Sequence, residues 1–99
     1  MLNITSDLSG NKLEIGLEGR LDTTTAPELE GKLKSSLDGV GELVLNMTKL
    51  EYISSAGLRV LLMAQKVMNK QGSMVVTNVS DEIKEIFEVT GFSDILTVE

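Results

Sequence analysis

The 99-residue chain contains no cysteine and no histidine. Without cysteine it can form neither a disulfide nor a thiolate metal site, and it has no cysteine nucleophile. Without histidine it lacks the commonest general base and the commonest metal ligand, and a Ser-His-Asp triad cannot form within it. These absences exclude several classes of enzyme, and a chain without cysteine suits a reducing compartment.

Aromatic residues and long apolar runs are also scarce. The only aromatic residues are Tyr52, Phe87 and Phe92, so Leu, Ile, Val and Met must supply most of the core. The longest apolar-rich stretch, residues 56–68, is too short to cross a bilayer and contains Arg59. We expect no secretory signal, because the N-terminal residues contain no apolar h-region. We therefore expect one soluble, cytoplasmic domain over residues 1–99.

The charge of the chain is negative, with a formal net value of -6. Residues 80–99 concentrate it, because they contain six acidic residues and one lysine. An acidic surface disfavours both nucleic acid and anionic membranes, which bind through basic contacts. We predict neither as a direct partner and interpret the acidic end as a contribution to solubility.

Apolar periodicity and turn signals predict the order β-β-α-β-α-β-α-β. Leu13, Ile15 and Leu17 alternate with polar residues or glycine, which indicates a half-buried strand paired with one at 2–8 across a turn at 9–11. A helix then separates this strand from the next, which favours parallel pairing and an α/β fold with a mixed sheet covered by helices. The later strands are predicted at 42–47, 73–79 and, as an edge strand, 95–99.

Caps and leucine spacing predict the three helices. The first begins in the segment TAPE, where Thr25 is the expected N-cap and Glu28 has the capping-box spacing. The second follows the serine pair and extends to about Gln71. The third starts at a Ser80 cap and ends at Gly91.

The second helix is predicted to have two different faces. Its inward side collects Gly57, Val60, Leu61, Ala64 and Met68. Its outward side collects Ser55, Arg59, Met63, Lys66 and Lys70. Leu58 and Leu62 flank the outward side, with Leu58 expected in the core. For Leu62 and Met63, core packing and an exposed docking patch both stay open.

Ser54 and Ser55 at the start of this helix have two interpretations. Either can cap the helix, but one cap suffices and leaves the second hydroxyl unexplained. A phosphate on Ser55 would lie at the positive end of the helix, so the fold would tolerate it. A partner docked on Leu58, Leu62 and Met63 would instead have to desolvate that charge, which makes a binding switch.

Three segments of the chain carry a family pattern: GRLDTTTAPEL (19–29), LVLNMTKLEYISSAGLRVLL (43–62) and GSMVVTNVSDEIKEIFEVTGF (72–92). They resemble the STAS domains of anti-sigma factor antagonists, and the likeness covers essentially the whole chain. The middle segment is the most specific. Family members commonly read Asp-Ser-Ser/Thr-Gly-Leu there, and the first hydroxyl after the Asp accepts a phosphate.

The resemblance places Ser55 at the phosphoacceptor position. Ser54 stands where the family usually has Asp, so the acidic neighbour of the acceptor is missing, and Ala56 replaces the second hydroxyl residue. Asp22 matches the acidic residue of the family's G-x-L-D loop, which lies near the acceptor. A role as a turn or cap residue and a role in partner contact stay open for Asp22.

The resemblance implies a partner-switching module rather than an enzyme, with no cofactor and no metal. The unphosphorylated domain would bind an anti-sigma factor with serine kinase activity and so free a sigma factor. Phosphorylation of Ser55 would release the partner, and a serine phosphatase would reverse it. The residues predicted to contact the partner are Asp22, Ser54, Ser55, Gly57, Leu58, Arg59, Leu62, Met63 and Lys66.

Two alternatives compete with this prediction. A STAS domain can also be a docking subunit in stress signalling, secretion control or lipid transport, where Ser55 would be an unmodified contact. We expect the chain to be a stand-alone domain, which favours the antagonist over the docking subunit. A nucleotide-binding or hydrolysing enzyme is the alternative of another class, but the chain has no phosphate-binding Gly-x-x-x-x-Gly-Lys-Ser/Thr loop. Glu18, Asp22 and Glu51 could hold a metal near Ser55, although their spacing does not require it.

Overall fold

The computed structural model describes residues 2–99 and has the element order β-β-α-β-α-β-α. The strands are β1 (Leu2–Ser9), β2 (Lys12–Leu21), β3 (Glu42–Ile53) and β4 (Ser73–Thr77). The helices are α1 (Ala26–Ser36), α2 (Ser55–Gln71) and α3 (Asp81–Thr90), followed by a short 3-10 helix over Phe92–Asp94. None of the helices within residues 2–99 combines the length and the apolar character needed to cross a bilayer.

The four strands form one mixed sheet in the order β1-β2-β3-β4. β1 and β2 make an antiparallel hairpin, whose turn contains Gly10 in the left-handed region at φ 63. β2, β3 and β4 are parallel, and α1 and α2 connect them. Because such crossovers are almost always right-handed, successive crossovers in one direction place their helices on the same face. The predicted mixed sheet covered by helices is confirmed.

The core lies between this helix layer and one face of the sheet. Ile15 of β2 is in register with Leu45 of β3, and both are fully buried. The helices contribute apolar residues to the same cluster, including Leu33 of α1 and Phe87 of α3. The opposite sheet face is mostly polar, with residues such as Glu14, Glu18 and Asn46, as expected for a face open to water.

The third strand is longer than predicted, extending to residue 53 instead of 47. Beyond Met47 its buried residues are Leu50 and Ile53, so the spacing changes from two residues to three. The register with β2 shifts twice in this part, between Gly16 and Glu18 and again after Gly19. Each shift adds one residue to β3, which is the geometry of a β-bulge. The two-residue spacing of buried residues therefore ends at Met47, although the strand continues to Ile53.

The predicted C-terminal edge strand at 95–99 is wrong. Only an isolated parallel bridge joins Val98 to Val76, after the 3-10 helix that follows α3. β4 is also shorter than predicted, because Asn78 adopts a left-handed φ of 57 that interrupts extended backbone. The predicted end of α3 is confirmed, since Gly91 has a φ of 82 and terminates the helix.

Candidate functional site

The candidate site lies where β2 and β3 end side by side. Leu21 is paired with Ile53, and the Ser54 amide donates a hydrogen bond of 2.9 Å to the Leu21 carbonyl. Asp22 follows the end of β2 directly, and Ser55 is the second residue after the end of β3. The carboxyl ends of parallel strands are favourable places for a binding site. The fold therefore brings both residues to one edge of the sheet.

The two serines have different surroundings. Ser54 is the N-cap of α2, with extended backbone and a side-chain oxygen that accepts the Gly57 amide at 3.3 Å. Ser55 is the first residue of the helix, and its side chain is exposed. Among residues 2–99 the Ser55 hydroxyl has no hydrogen-bond partner. Capping therefore explains Ser54 and leaves Ser55 available for chemistry.

Two residues predicted to contact a partner are instead buried. Leu58 is 6% exposed and belongs to the core cluster. Gly57 faces the sheet, where an added Cβ would lie 2.7 Å from Leu21 Cγ and 2.9 Å from Ile53 Cγ1. Their assignment to the contact surface is corrected on this ground. They set how closely α2 approaches the sheet and hence where Ser55 lies.

Substitution of Gly57 by alanine is expected to destabilise the domain by about 1–3 kcal/mol, because the new methyl group overpacks against buried Leu21 and Ile53. Gly31 offers a matched control, since it lies within α1 and has no atom within 4 Å of an added Cβ. Gly31→Ala is expected to stabilise the domain by roughly 0.5–1 kcal/mol through helix propensity. Urea unfolding measures both, and equal shifts for the two variants would contradict the close approach at Gly57.

Asp22 organises the turn that leads from β2 into α1. Its Oδ1 accepts hydrogen bonds from the Thr24 hydroxyl at 2.8 Å, the Thr24 amide at 3.0 Å and the Thr25 amide at 3.1 Å. The Thr24 hydroxyl bond is the main cause that lowers the pKa of the Asp22 carboxyl from its ordinary value. Asp22 is therefore a turn residue that also keeps a negative charge beside the start of α2.

The predicted capping box of α1 does not form. Thr25 occupies the N-cap position, but its side chain makes no capping hydrogen bond. Its hydroxyl donates to the Arg20 carbonyl at 2.8 Å and accepts from the Asp22 amide at 2.8 Å. The turn thus uses the hydroxyl that the capping-box pattern assigned to the helix, and Glu28 has no Thr25 partner to complete the box.

Arg20 and Tyr52 were missed by the sequence analysis. They are register partners at the ends of β2 and β3, and the Arg20 guanidinium lies 4.3 Å from the centre of the Tyr52 ring. Arg20 Nε is also 3.9 Å from Asp22 Oδ2. The sequence motif GRLD contains Arg20 but gives no indication of Tyr52. The pairing of Arg20 with Tyr52 depends on the two bulges of β3, which the apolar pattern does not reveal.

The outward face of α2 lies beside this edge. Arg59 and Lys66 are exposed, whereas Leu62 and Met63 are half-buried. A shallow groove of about 290 Å³ lies between α1 and α2, and a second of about 460 Å³ runs along α2. Arg59 and Met63 line both grooves, which are therefore continuous. This face joins apolar and basic groups close to Ser55.

The metal site considered for Glu18, Asp22 and Glu51 is absent from the described part of the chain. Over residues 2–99 no three Asp or Glu side chains are arranged to hold a metal ion. Asp22 instead uses its carboxylate within its own turn.

Comparison with known proteins gives the family. Residues 3–99 match the family model of the STAS domain. The chain belongs to the STAS domain family. Ser55 of this STAS domain is the first residue of its second helix, where caps and apolar periodicity predicted a helix start.

Two curated relatives of the STAS domain have names that describe antagonists of anti-sigma factors. BtrV of Bordetella bronchiseptica, named as a candidate anti-sigma factor antagonist, is 36% identical over 98% of this chain and 85% of its own length. The anti-sigma-B factor antagonist of Staphylococcus aureus is 32% identical over 98% of this chain and 92% of its own length. Membership of this family supports the prediction of a non-enzymatic domain.

Solved structures confirm the STAS fold. The anti-sigma factor antagonist SpoIIAA in its unphosphorylated form has a TM-score of 0.77 and 17% identity, covering 100% of this chain and 87% of SpoIIAA. SpoIIAA of Bacillus in its phosphorylated form has the same TM-score and identity, covering 98% of this chain and 91% of SpoIIAA. The fold therefore agrees with that of a protein solved both with and without a phosphate.

Proposed function

We propose that this STAS domain is an anti-sigma factor antagonist that switches partners through Ser55. The unphosphorylated domain binds an anti-sigma factor with serine kinase activity in the cytoplasm and thereby frees a sigma factor for transcription. The exposed Ser55 hydroxyl at the start of α2 carries the proposal, because the cap is already supplied by Ser54. The names of the two curated relatives support the same role.

The proposed modification is a phosphoryl transfer in which this domain is the substrate. Ser55 Oγ forms a bond to the γ-phosphorus of ATP, the bond from that phosphorus to the ADP oxygen breaks, and the hydroxyl proton passes to a base on the kinase. A serine phosphatase then hydrolyses the phosphoserine and restores the hydroxyl. The domain needs no catalytic residue, which agrees with its lack of histidine and cysteine.

The position of Ser55 lets a phosphate change binding without unfolding the domain. The first turn of α2 contains no acidic residue, and its free amides and positive dipole end favour a negative charge. A partner seated on the same face must instead remove water from a group with a charge of about -1.5 to -2. That desolvation lowers the stability of the complex and leaves the stability of the free folded domain unaffected.

The proposed contact surface differs from the predicted one in two ways. Leu58 and Gly57 support it from below, while Arg20 and Tyr52 join it at the strand ends. The residues that can touch a partner are then Asp22, Ser54, Ser55, Arg59, Leu62, Met63 and Lys66, with Arg20 and Tyr52 beside them. Ser54 stays in this set because it lies next to Ser55, although its side-chain oxygen already accepts the capping hydrogen bond from the Gly57 amide.

A binding assay with the serine-kinase anti-sigma factors of the source organism tests the proposal. In size-exclusion chromatography with ADP, one of them is expected to co-elute with the unmodified domain. Addition of ATP is expected to dissociate this complex for the wild type and leave it intact for Ser55→Ala. If no such anti-sigma factor binds, or if ATP dissociates both complexes equally, the proposed function is contradicted.

A further inference from the structure

The second helix has a charge opposite to that of the rest of the protein. Its charged residues are Arg59, Lys66 and Lys70, and it contains no Asp or Glu. The remainder of the chain contains six basic and fifteen acidic residues. Within residues 2–99 none of the three α2 cations takes part in an ion pair, since the pairs found join other residues. The cations of α2 are thus available to an external partner.

These cations form one line with Ser55. At 100° per residue, Ser55, Arg59, Lys66 and Lys70 fall within about 60° of one another around the helix axis. With a rise of about 1.5 Å per residue, Arg59 and Lys66 lie roughly 10 Å apart along the axis, and Lys66 and Lys70 roughly 6 Å apart. Carboxylates separated by seven and four residues on a second helix have the same spacings.

The surface beside the three cations is apolar. Leu62, Met63 and Val67 are half-buried and, together with the cations, line the groove of about 460 Å³ along α2. The adjoining groove between α1 and α2 includes Glu30, whose carboxylate is 2.9 Å from the Lys34 ammonium. The one acidic residue on this groove therefore has its own partner and leaves the α2 cations uncompensated.

We propose that the α2 groove binds an acidic amphipathic helix of the anti-sigma partner, with its apolar side on Met63 and Val67 and its carboxylates on Arg59, Lys66 and Lys70. Charge complementarity selects this occupant, because the cations are few, lie along one side of α2 and are set in an otherwise acidic protein. This inference rests on the proposed function and adds the chemistry of the partner to it. A phosphate on Ser55, four residues before Arg59, would compete with those carboxylates for the guanidinium.

The test uses the isotope-labelled domain and a synthetic amphipathic helix of about five turns that carries Glu residues beside a row of Leu. In NMR titrations this Glu peptide is expected to shift the amides of residues 59–71. A matched peptide with Gln in place of Glu is expected to bind about tenfold more weakly, since two or three charge pairs are lost. The double variant Lys66→Glu/Lys70→Glu should show the same loss with the Glu peptide.

The control variant Lys32→Glu/Lys49→Glu makes the same change in net charge at exposed lysines outside α2. It is expected to bind the Glu peptide like the wild type. Equal binding of the Glu and Gln peptides, equal losses for the two double variants, or preferential binding of single-stranded DNA or phosphatidylserine vesicles at residues 59–71 would overturn the inference. An anti-sigma factor that binds the wild type and Lys66→Glu/Lys70→Glu equally would overturn it while the proposed function stands. An anti-sigma factor that binds neither would contradict the proposed function, and the peptide titrations would still decide this inference.

Discussion

Replacement of Ser55 by alanine is expected to abolish phosphorylation by the cognate kinase and to leave the free energy of unfolding within about 0.5 kcal/mol of the wild type. The Ser55 side chain is exposed and bonds to no other group in residues 2–99, so its loss removes a reactive oxygen without removing a structural contact. Phosphate incorporation followed by mass spectrometry and urea unfolding measure the two effects.

Ser54→Ala is the matched control, because it alters the adjacent hydroxyl. It is expected to destabilise the domain by about 1 kcal/mol through loss of the bond from the Gly57 amide, while phosphorylation at Ser55 continues. The two variants thus separate capping from chemistry. Phosphorylation of the Ser55→Ala variant but not of the Ser54→Ala variant would show that Ser54 is the acceptor and would contradict the assignment to Ser55.

Ser55→Asp is expected to weaken anti-sigma factor binding by about 100-fold, with little change in melting temperature. The carboxylate is favourable at the start of α2, whose first turn has no acidic residue, so the free domain accommodates it. In the complex the same charge is desolvated and unpaired, at a cost of about 3 kcal/mol. Isothermal titration with the anti-sigma factor and ADP gives the affinity.

Ser93→Asp controls for the added negative charge. Ser93 is exposed and lies in the 3-10 helix after α3, remote from α2 in the chain. Its variant should bind the anti-sigma factor as the wild type does. Equal affinities for Ser55→Asp and the wild type would place the docking face elsewhere on the domain.

The strands and helices that follow one period were predictable from the sequence. β2 alternates cleanly, and α3 has a serine cap and a terminal glycine, so local rules and tertiary structure agree there. The predicted end of β3 was wrong because two bulges change the apolar spacing in the middle of the strand. The prediction of the last strand failed because residues 95–99 form only a single bridge at the sheet edge. Their composition does not distinguish such a bridge from a full strand.

The site was predictable wherever one helix determines the geometry. The helical phase correctly separated exposed Arg59 and Lys66 from buried Val60 and Leu61. The relation between elements was not predictable, because it depends on register. The stacking of Arg20 on Tyr52 comes from the pairing of β2 with β3, whose two bulges set the register.

The capping prediction at Thr25 was incomplete for a related reason. Its hydroxyl can bond to the helix or to the preceding turn, and the position of Asp22 decides between them. Asp22 itself carried two open roles, and its contacts with Thr24 and Thr25 assign the turn role directly. Competing local hydrogen bonds of this kind are resolved by the folded backbone and not by spacing alone.

The most direct test of the switch is phosphosite mapping on the intact protein isolated from its native cells, with and without incubation with the cognate anti-sigma kinase and ATP. A single phosphate is expected on the peptide that contains YISSAGL, located at Ser55, and a serine phosphatase is expected to remove it. An unmodified Ser55 in both samples, with the kinase active on another substrate, would contradict the switch and indicate a docking domain that works without phosphorylation.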